Sequence, residues 1–178
     1  MSIIGNYSMN EINISKWNGV TVALVCGSLI LLISLGVRHA FGLFLQPVSM
    51  NQGWGRETFA FTIALQNLIW GVSQPFAGLI ADRYGAKIVV TSGALLYGIG
   101  LWVMSQVAGE TIFILGAGVL IGLGLSGTTF PVIFGAISRL VSPEQRSMAM
   151  GITMSVGSFG QFAMLPISLG LISWFGWS

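Results

Sequence analysis

Long apolar segments recur along this chain, and only short polar segments separate them. A helix that crosses a membrane needs about 20 consecutive apolar residues. We expect five such spans, at about residues 19–47, 59–81, 88–108, 112–138 and 143–172. Hydrophobic residues make up 54% of the chain and charged residues only 7%, whereas a soluble domain carries about 25% charged residues. The sequence therefore predicts an all-α membrane protein and excludes a water-soluble fold.

The basic residues predict how these spans are oriented. Alternate loops contain nearly all of the basic residues outside the spans, namely Lys16, Arg83, Lys87, Arg139 and Arg146, and the opposite side has only Arg56. Cytoplasmic loops are rich in Lys and Arg, so we expect a cytoplasmic N-terminus. Residues 1–18 would form a cytoplasmic tail, and residues 19–178 a multi-pass helical bundle in a cell inner membrane. No Lys/Arg cluster is present that could hold a nucleic acid, so the lipid bilayer is the expected partner.

Two local patterns predict how the spans begin and pack. Ser142-Pro143-Glu144-Gln145 resembles a capping box with proline in the first turn, which predicts the start of the fifth span. Small residues at four-residue spacing let membrane helices approach closely. Such faces occur at Gly118, Gly122 and Ser126 in the fourth span and at Gly151 and Ser155 in the fifth.

One polar motif lies between the second and third spans. It reads Gly78-Leu79-Ile80-Ala81-Asp82-Arg83-Tyr84-Gly85-Ala86-Lys87. Gly78 and Asp82 are four residues apart and share a helix face, so a neighbouring helix can approach Asp82. A carboxylate at this depth needs a cation or a helix N-terminus, and Arg83 and Lys87 supply local positive charge. The alternative is a solvated turn that only fixes the topology.

This motif closely resembles the signature loop of the major facilitator superfamily, Gly-x-x-x-Asp-Arg-x-Gly-x-Arg/Lys. The resemblance covers residues 20 to 178 and implies an incomplete N-terminal helical bundle, five helices of an expected twelve, with the C-terminal half missing from this chain. It also implies that Gly78, Asp82, Arg83, Gly85 and Lys87 form a conformational switch that latches the two halves together. Further residues resemble the branch of monocarboxylate transporters and oxalate/formate antiporters, namely Phe41-Gly42-Leu43-Phe44, Gly53-Trp54, Gly157, Gly160 and Pro166.

Arg38 and His39 are the most unusual residues inside a span. Both lie about two-thirds of the way along the first span, where a charge is costly unless it faces water or a partner. Since the first span lines the central cavity in the resembled transporters, Arg38 is the leading candidate for binding an anionic substrate. The alternative is that Arg38 reaches the outer surface or bonds backbone carbonyls. His39 could carry a proton, although its position favours a satisfied packing histidine.

Uncharged polar and aromatic side chains complete the candidate substrate site. Gln66, Asn67 and Gln161 can donate and accept hydrogen bonds, either with a substrate or between helices. Trp70, together with Tyr97 and Trp102, could frame a cavity or simply pack. No span contains an Asp or Glu deep in the membrane.

These features favour a secondary transporter that moves a small organic anion, such as a monocarboxylate, by alternating access. We expect no cofactor and no metal site. A membrane enzyme would need a nucleophile with a base, a metal cluster or paired carboxylates, and the spans lack them. The alternative function is a non-transporting or truncated membrane subunit.

Overall fold

A computed structural model describes residues 11–106 and 109–176, and their side chains from residue 19 onward. The described residues form helices joined by short turns, which confirms the predicted all-α class. The helices are α1 (Glu11–Ala40), α2 (Leu45–Gln52), α3 (Arg56–Tyr84), α4 (Ala86–Gln106), α5 (Glu110–Phe113), α6 (Ile121–Thr128), α7 (Phe130–Ser138) and α8 (Arg146–Phe175). Two 3₁₀ turns (Phe41–Phe44 and Pro143–Gln145) and one π-helical segment (Ile114–Leu120) connect some of them.

Four helical segments are long and apolar enough to cross a membrane. Within the described part of the chain they are Gly19–Gln52, Ala86–Gln106, Glu110–Ser138 and Pro143–Phe175. The expected second span is the helix α3, which has 29 residues but is less apolar than the others. Its polar side chains, among them Gln66, Asn67 and Gln74, lower its hydropathy. By length and composition alone, therefore, four of the five expected spans are found.

The ends of the first span differ from the expected ones. The helix α1 already begins at Glu11, so part of the expected tail is helical, and residues 1–10 lie outside the described part of the chain. After Ala40 a 3₁₀ turn leads into α2, which continues to Gln52 rather than ending near Pro47. Pro47 does not end the helix because it lies in the first turn of α2, where backbone N–H groups have no intrahelical partner.

The fourth span is not the single straight helix that its apolar sequence predicts. Its first part passes through the π-helical segment Ile114–Leu120 before α6 begins. The helix then breaks at Thr129, whose backbone is extended (φ −118°, ψ −162°). Pro131 follows in the first turn of α7, where it is well accommodated. The 29-residue span Glu110–Ser138 is thus divided into helical segments that need not share one axis.

The other span ends need smaller corrections. The predicted capping box at Ser142 is wrong, because no side chain caps this turn; the backbone amide of Gln145 instead donates to the carbonyl of Ser142 at 3.0 Å. The fifth span continues to Phe175. The expected end of the third span at Ala108, and the last two residues of the aromatic segment Trp174–Ser178, lie outside the described residues.

The bundle consists of two groups of helices in close contact. The helix α1 packs along α8, while α6 and the π-helical segment pack between α3 and α4. Glycines form both interfaces: a Cβ on Gly160 would lie 2.3 Å from the carbonyl oxygen of Leu32, and one on Gly124 would lie 2.8 Å from that of Gly93. Helix backbones therefore touch directly, as is typical of membrane bundles.

The predicted small-residue faces are correct for the fourth span and wrong for the fifth. Gly118 and Gly122 press against the backbone of α3 as expected. Gly151, in contrast, is exposed with open space around it, and Ser155 is exposed as well. The packed face of α8 contains Thr153, Gly157 and Gly160 instead. Both sets have helical spacing, so spacing alone does not choose the face.

We predict that Gly160→Leu lowers the stability of the bundle by about 1–3 kcal/mol or more, because the new side chain meets the backbone of α1. The matched control is Gly151→Leu, in the same helix, which gains the same helix propensity but meets no neighbour. Thermal unfolding of the detergent-purified protein measures both. Equal melting temperatures for the two variants would contradict close packing at Gly160.

Candidate functional site

A cavity of about 690 Å³ lies between the C-terminal end of α1 and the first half of α3. Its polar lining residues are Arg38, His39, Arg56, Gln66 and Asn67. Its apolar lining consists of Phe41, Gly42, Leu45, Phe59, Ala60, Ile63 and Ala64. Among the described residues that line it, none is acidic. The cavity therefore combines positive charge with an apolar wall.

Arg38 is held in this cavity by two side chains of α3. Its Nη2 donates a hydrogen bond to Oδ1 of Asn67, and its Cζ lies 4.7 Å from the centroid of the Trp70 ring. These are side-chain contacts within the bundle, so the described geometry does not match the expected alternative of bonding to backbone carbonyls. The contacts leave other N–H groups of the guanidinium unused, and Nε is buried without a hydrogen-bond partner in the described part of the chain. The cation is positioned but not neutralised.

Trp70 connects Arg38 to the break in the fourth span. Its indole Nε1 donates to Oγ1 of Thr129 at 3.0 Å, and this hydroxyl donates to the carbonyl oxygen of Leu125 at 2.7 Å. The fully buried Thr129 hydroxyl thus both donates and accepts a hydrogen bond. The orientation of the Trp70 ring, and with it the stacking of Arg38, depends on this buried threonine.

Gln66 interacts with the π-helical segment. The backbone amide of Ile121, just after the segment, donates to the carbonyls of Gly116 and Gly118. The carbonyl of Ala117 instead accepts a hydrogen bond from Nε2 of Gln66 at 2.7 Å. Gln66 is only 1% exposed, and its Oε1 has no partner among the described residues. π-Helical segments are frequent at functional sites, and here one lies against a cavity-lining residue.

Of the other site residues proposed from the sequence, only some lie at the cavity. His39 is exposed and lines the same cavity as Arg38, whereas Gln161 lies on α8 and does not line it. Trp102 is exposed on α4, and Tyr97 is buried, with its hydroxyl donating to the carbonyl of Ser34 at 3.2 Å. Neither lines the cavity. Within residues 11–106 and 109–176, no three His, Cys, Asp or Glu side chains are grouped so that they could hold a metal ion.

The signature loop lies at the opposite end of α3 from this cavity. Gly85 has φ +94° and joins α3 to α4 directly, a conformation that favours glycine. Asp82 forms an ion pair with Arg139, the residue that follows α7. Arg83 stacks over the ring of Tyr84 at 5.4 Å, and Lys87 is exposed. A Cβ added to Gly78 would lie 3.8 Å from Pro131 of α7, so α7 approaches this face but leaves room for a small side chain.

Sequence reasoning missed three residues at these sites: Arg139, Arg56 and Thr129. The sequence analysis used Arg139 and Arg56 only to predict orientation. A signal for Arg139 was present, since loops on one membrane side can meet and Asp82 needs a cation. No signal in the sequence could have paired Thr129 with Trp70, because that contact depends on the break in the fourth span.

The family model described as Major Facilitator Superfamily matches residues 21–178. "Probable anion transporter 4, chloroplastic" of Arabidopsis thaliana is 27% identical over 76% of this chain and 26% of its own length. "Monocarboxylate transporter 11" of Mus musculus is 27% identical over 82% of this chain and 32% of its own. "Multidrug resistance protein MdtH" of Klebsiella pneumoniae is 32% identical over 81% of this chain and 34% of its own length. The chain thus spans about a quarter to a third of these relatives.

We predict that Gln66→Leu destabilises the protein by about 1–3 kcal/mol, because it removes the donor to the buried Ala117 carbonyl. Gln161→Leu is the control: this glutamine is half-buried in the same bundle and has no hydrogen bond in the described structure. The midpoint of thermal unfolding in detergent is the measurement. If Gln66→Leu unfolds at the wild-type temperature, Gln66 is not needed to support the π-helical segment.

Proposed function

Because this chain belongs to the major facilitator superfamily, we propose that it forms part of a secondary carrier that moves a small organic anion by alternating access. The family consists of multi-pass membrane transporters that take small-molecule substrates. The finer proposal concerns the charge of the substrate and the residues that bind it. Its candidate residues are those of the cavity, with Arg38 at their centre.

The observation that carries this proposal is the electrostatic state of Arg38. The guanidinium is half-buried, and its only described hydrogen-bond partner is the neutral side chain of Asn67. Even a partly buried cation is unfavourable without a counter-charge. An anion entering the cavity would supply that charge and accept two parallel hydrogen bonds from the planar guanidinium.

The names of the relatives support the same class of substrate. One is named as a probable anion transporter and another as a monocarboxylate transporter. They are three to four times as long as the matched region, so we propose that this bundle acts with further helices that complete the cavity. We place it in a cell inner membrane with the N-terminus and the Asp82 loop on the cytoplasmic side. A non-transporting membrane subunit is the alternative function.

We predict that Arg38→Gln reduces substrate affinity about ten- to a hundredfold, equivalent to about 1.5–3 kcal/mol, because the charge that attracts the anion is lost. Arg38→Lys keeps the charge but loses the planar fork and the stacking on Trp70. It should therefore retain partial function with a higher half-saturation concentration. Binding of labelled monocarboxylates to the intact carrier in detergent measures the affinities.

Gel filtration checks that each Arg38 variant is folded. Arg146→Gln is the matched control, since Arg146 is exposed at the start of α8 and does not line the cavity. Equal affinity in wild type and Arg38→Gln would show that Arg38 is structural. The proposal of an anionic substrate would then lose its main support.

We also propose that the Asp82–Arg139 pair biases the conformational cycle. Both side chains are more than half exposed, at 63% and 54%, and an exposed pair of this kind contributes about 0–1 kcal/mol. Such a contact adds little to folding but is comparable to the free energies that shift a two-state equilibrium severalfold. It can therefore form and break during transport.

We predict that Asp82→Asn lowers the transport rate severalfold while expression and the melting temperature stay near those of the wild type. The charge-reversed double variant Asp82→Arg with Arg139→Asp should recover part of the rate. Glu144→Gln, which removes an exposed carboxylate in the turn before α8, is the control. Wild-type transport in Asp82→Asn would make Asp82 a turn residue without a role in the cycle.

A further inference from the structure

The cavity wall has a regular arrangement along α3. Arg56, Ala60, Ala64 and Asn67 follow one another at intervals of three or four residues, so they lie on one face of the helix over about 16 Å. Both ends of this stripe are polar, and its middle is formed by two alanines. Both alanines are exposed and line the cavity. The small side chains leave free space beside the site of Arg38.

The surface around the two alanines is apolar and already packed. Phe59 and Phe41 belong to the same buried core, and Leu45 and Ile63 pack against it. The ring centroid of Phe59 lies 6.0 Å from that of Phe113 in α5. Because these side chains are fixed by the core, an apolar ligand group can contact them without ordering them first.

The polar groups lie toward the ends of the cavity, and the two alanines between them offer none. Asn67 and Trp70 direct the guanidinium of Arg38, and Gln66 uses its amide nitrogen to bind the Ala117 carbonyl. Arg56 and His39 also line the cavity, but beside the two alanines few donors or acceptors remain for a substrate with many hydroxyl groups. A small, fully hydrated anion would leave the apolar wall in contact with water.

We infer that the substrate is an amphipathic monocarboxylate: its carboxylate binds at Arg38 and its apolar body lies over Ala60 and Ala64. This inference rests on the proposed function and adds two residues that determine substrate size. Larger side chains at these positions fill the space for the body without touching the carboxylate site. Affinity should then depend on the length of the apolar chain and on the size of the residue at 60 or 64.

A series of straight-chain monocarboxylates tests this on the intact carrier. Acetate, butyrate and hexanoate compete with a labelled monocarboxylate for the wild-type site. We expect affinity to rise about two- to fourfold for each added methylene, the fold-change that corresponds to burying most of that group. Inorganic phosphate, a polyhydroxy monocarboxylate such as gluconate and the dicarboxylate adipate should all bind more weakly than hexanoate.

Substitution of the alanines locates the apolar body. Ala64→Leu should weaken hexanoate binding at least tenfold while acetate stays within about twofold of wild type, and Ala60→Leu should act in the same direction. Ala94→Leu is the matched control, because Ala94 is an exposed alanine on α4 outside the cavity. It should leave the whole series unchanged.

The outcomes separate this inference from the proposed function. If wild-type affinity depends on Arg38 but does not increase with chain length, the inference is overturned and the anion carrier remains. The same holds if gluconate, phosphate or adipate binds more tightly than hexanoate. If acetate binds equally well to wild type and Arg38→Gln, the proposed function itself fails. The chain-length series uses only the wild-type protein, so it is decisive even where a leucine variant does not fold.

Discussion

Direct contact between helix backbones is the constraint on which the rest of this structure depends. In a membrane, apolar side chains gain little by leaving lipid for a protein interior, so close packing and hydrogen bonds hold helices together. Gly160 brings α8 against Leu32 of α1, and Gly124 brings α6 against Gly93 of α4. Gly122 brings α6 against the backbone of α3, and Gly27 brings α1 against Ile133 of α7. Together these contacts position α1 and α3 on the two sides of the cavity.

The same constraint explains why a cation can lie inside the bundle. Arg38 is half-buried with its Nε fully covered, and its charged group contacts Asn67 and Trp70. The cavity opens beside it because Ala60 and Ala64 are small, whereas the glycines elsewhere close the helix interfaces. Small residues therefore have two different effects here, depending on whether another helix lies opposite them.

Much of the architecture could be predicted from the sequence, and the reasons are physical. Apolar length predicted the helices, and the signature loop predicted the turn at Gly85. Arg38, His39, Gln66 and Asn67, which the sequence analysis placed in one candidate site, line one cavity, and Trp70 contacts Arg38; their role in substrate binding stays a prediction. Such residues are conspicuous because polar groups inside an apolar span are costly.

Other features could not be predicted because they depend on tertiary contacts. The prediction of which face of α8 packs was wrong, because Gly151 and Gly160 both belong to sets of small residues with helical spacing. Gln161 was grouped with the cavity although it lies elsewhere. The π-helical segment and the break at Thr129 leave no local signature apart from Pro131. The choice of Arg139 as the partner of Asp82 depends on two loops meeting.

The break at Thr129 has a mechanical consequence for the fourth span. Each end of α7 is tethered to α3: Thr129 accepts the indole of Trp70, and Arg139 pairs with Asp82. Those two residues of α3 are twelve positions apart, about 18 Å along its axis. The half of the fourth span that α7 forms is thus joined to the second span at both of its ends, while α6 packs between α3 and α4. Any bending between α6 and α7 would be concentrated at Thr129, and it would change both the stacking of Arg38 on Trp70 and the distant Asp82–Arg139 pair.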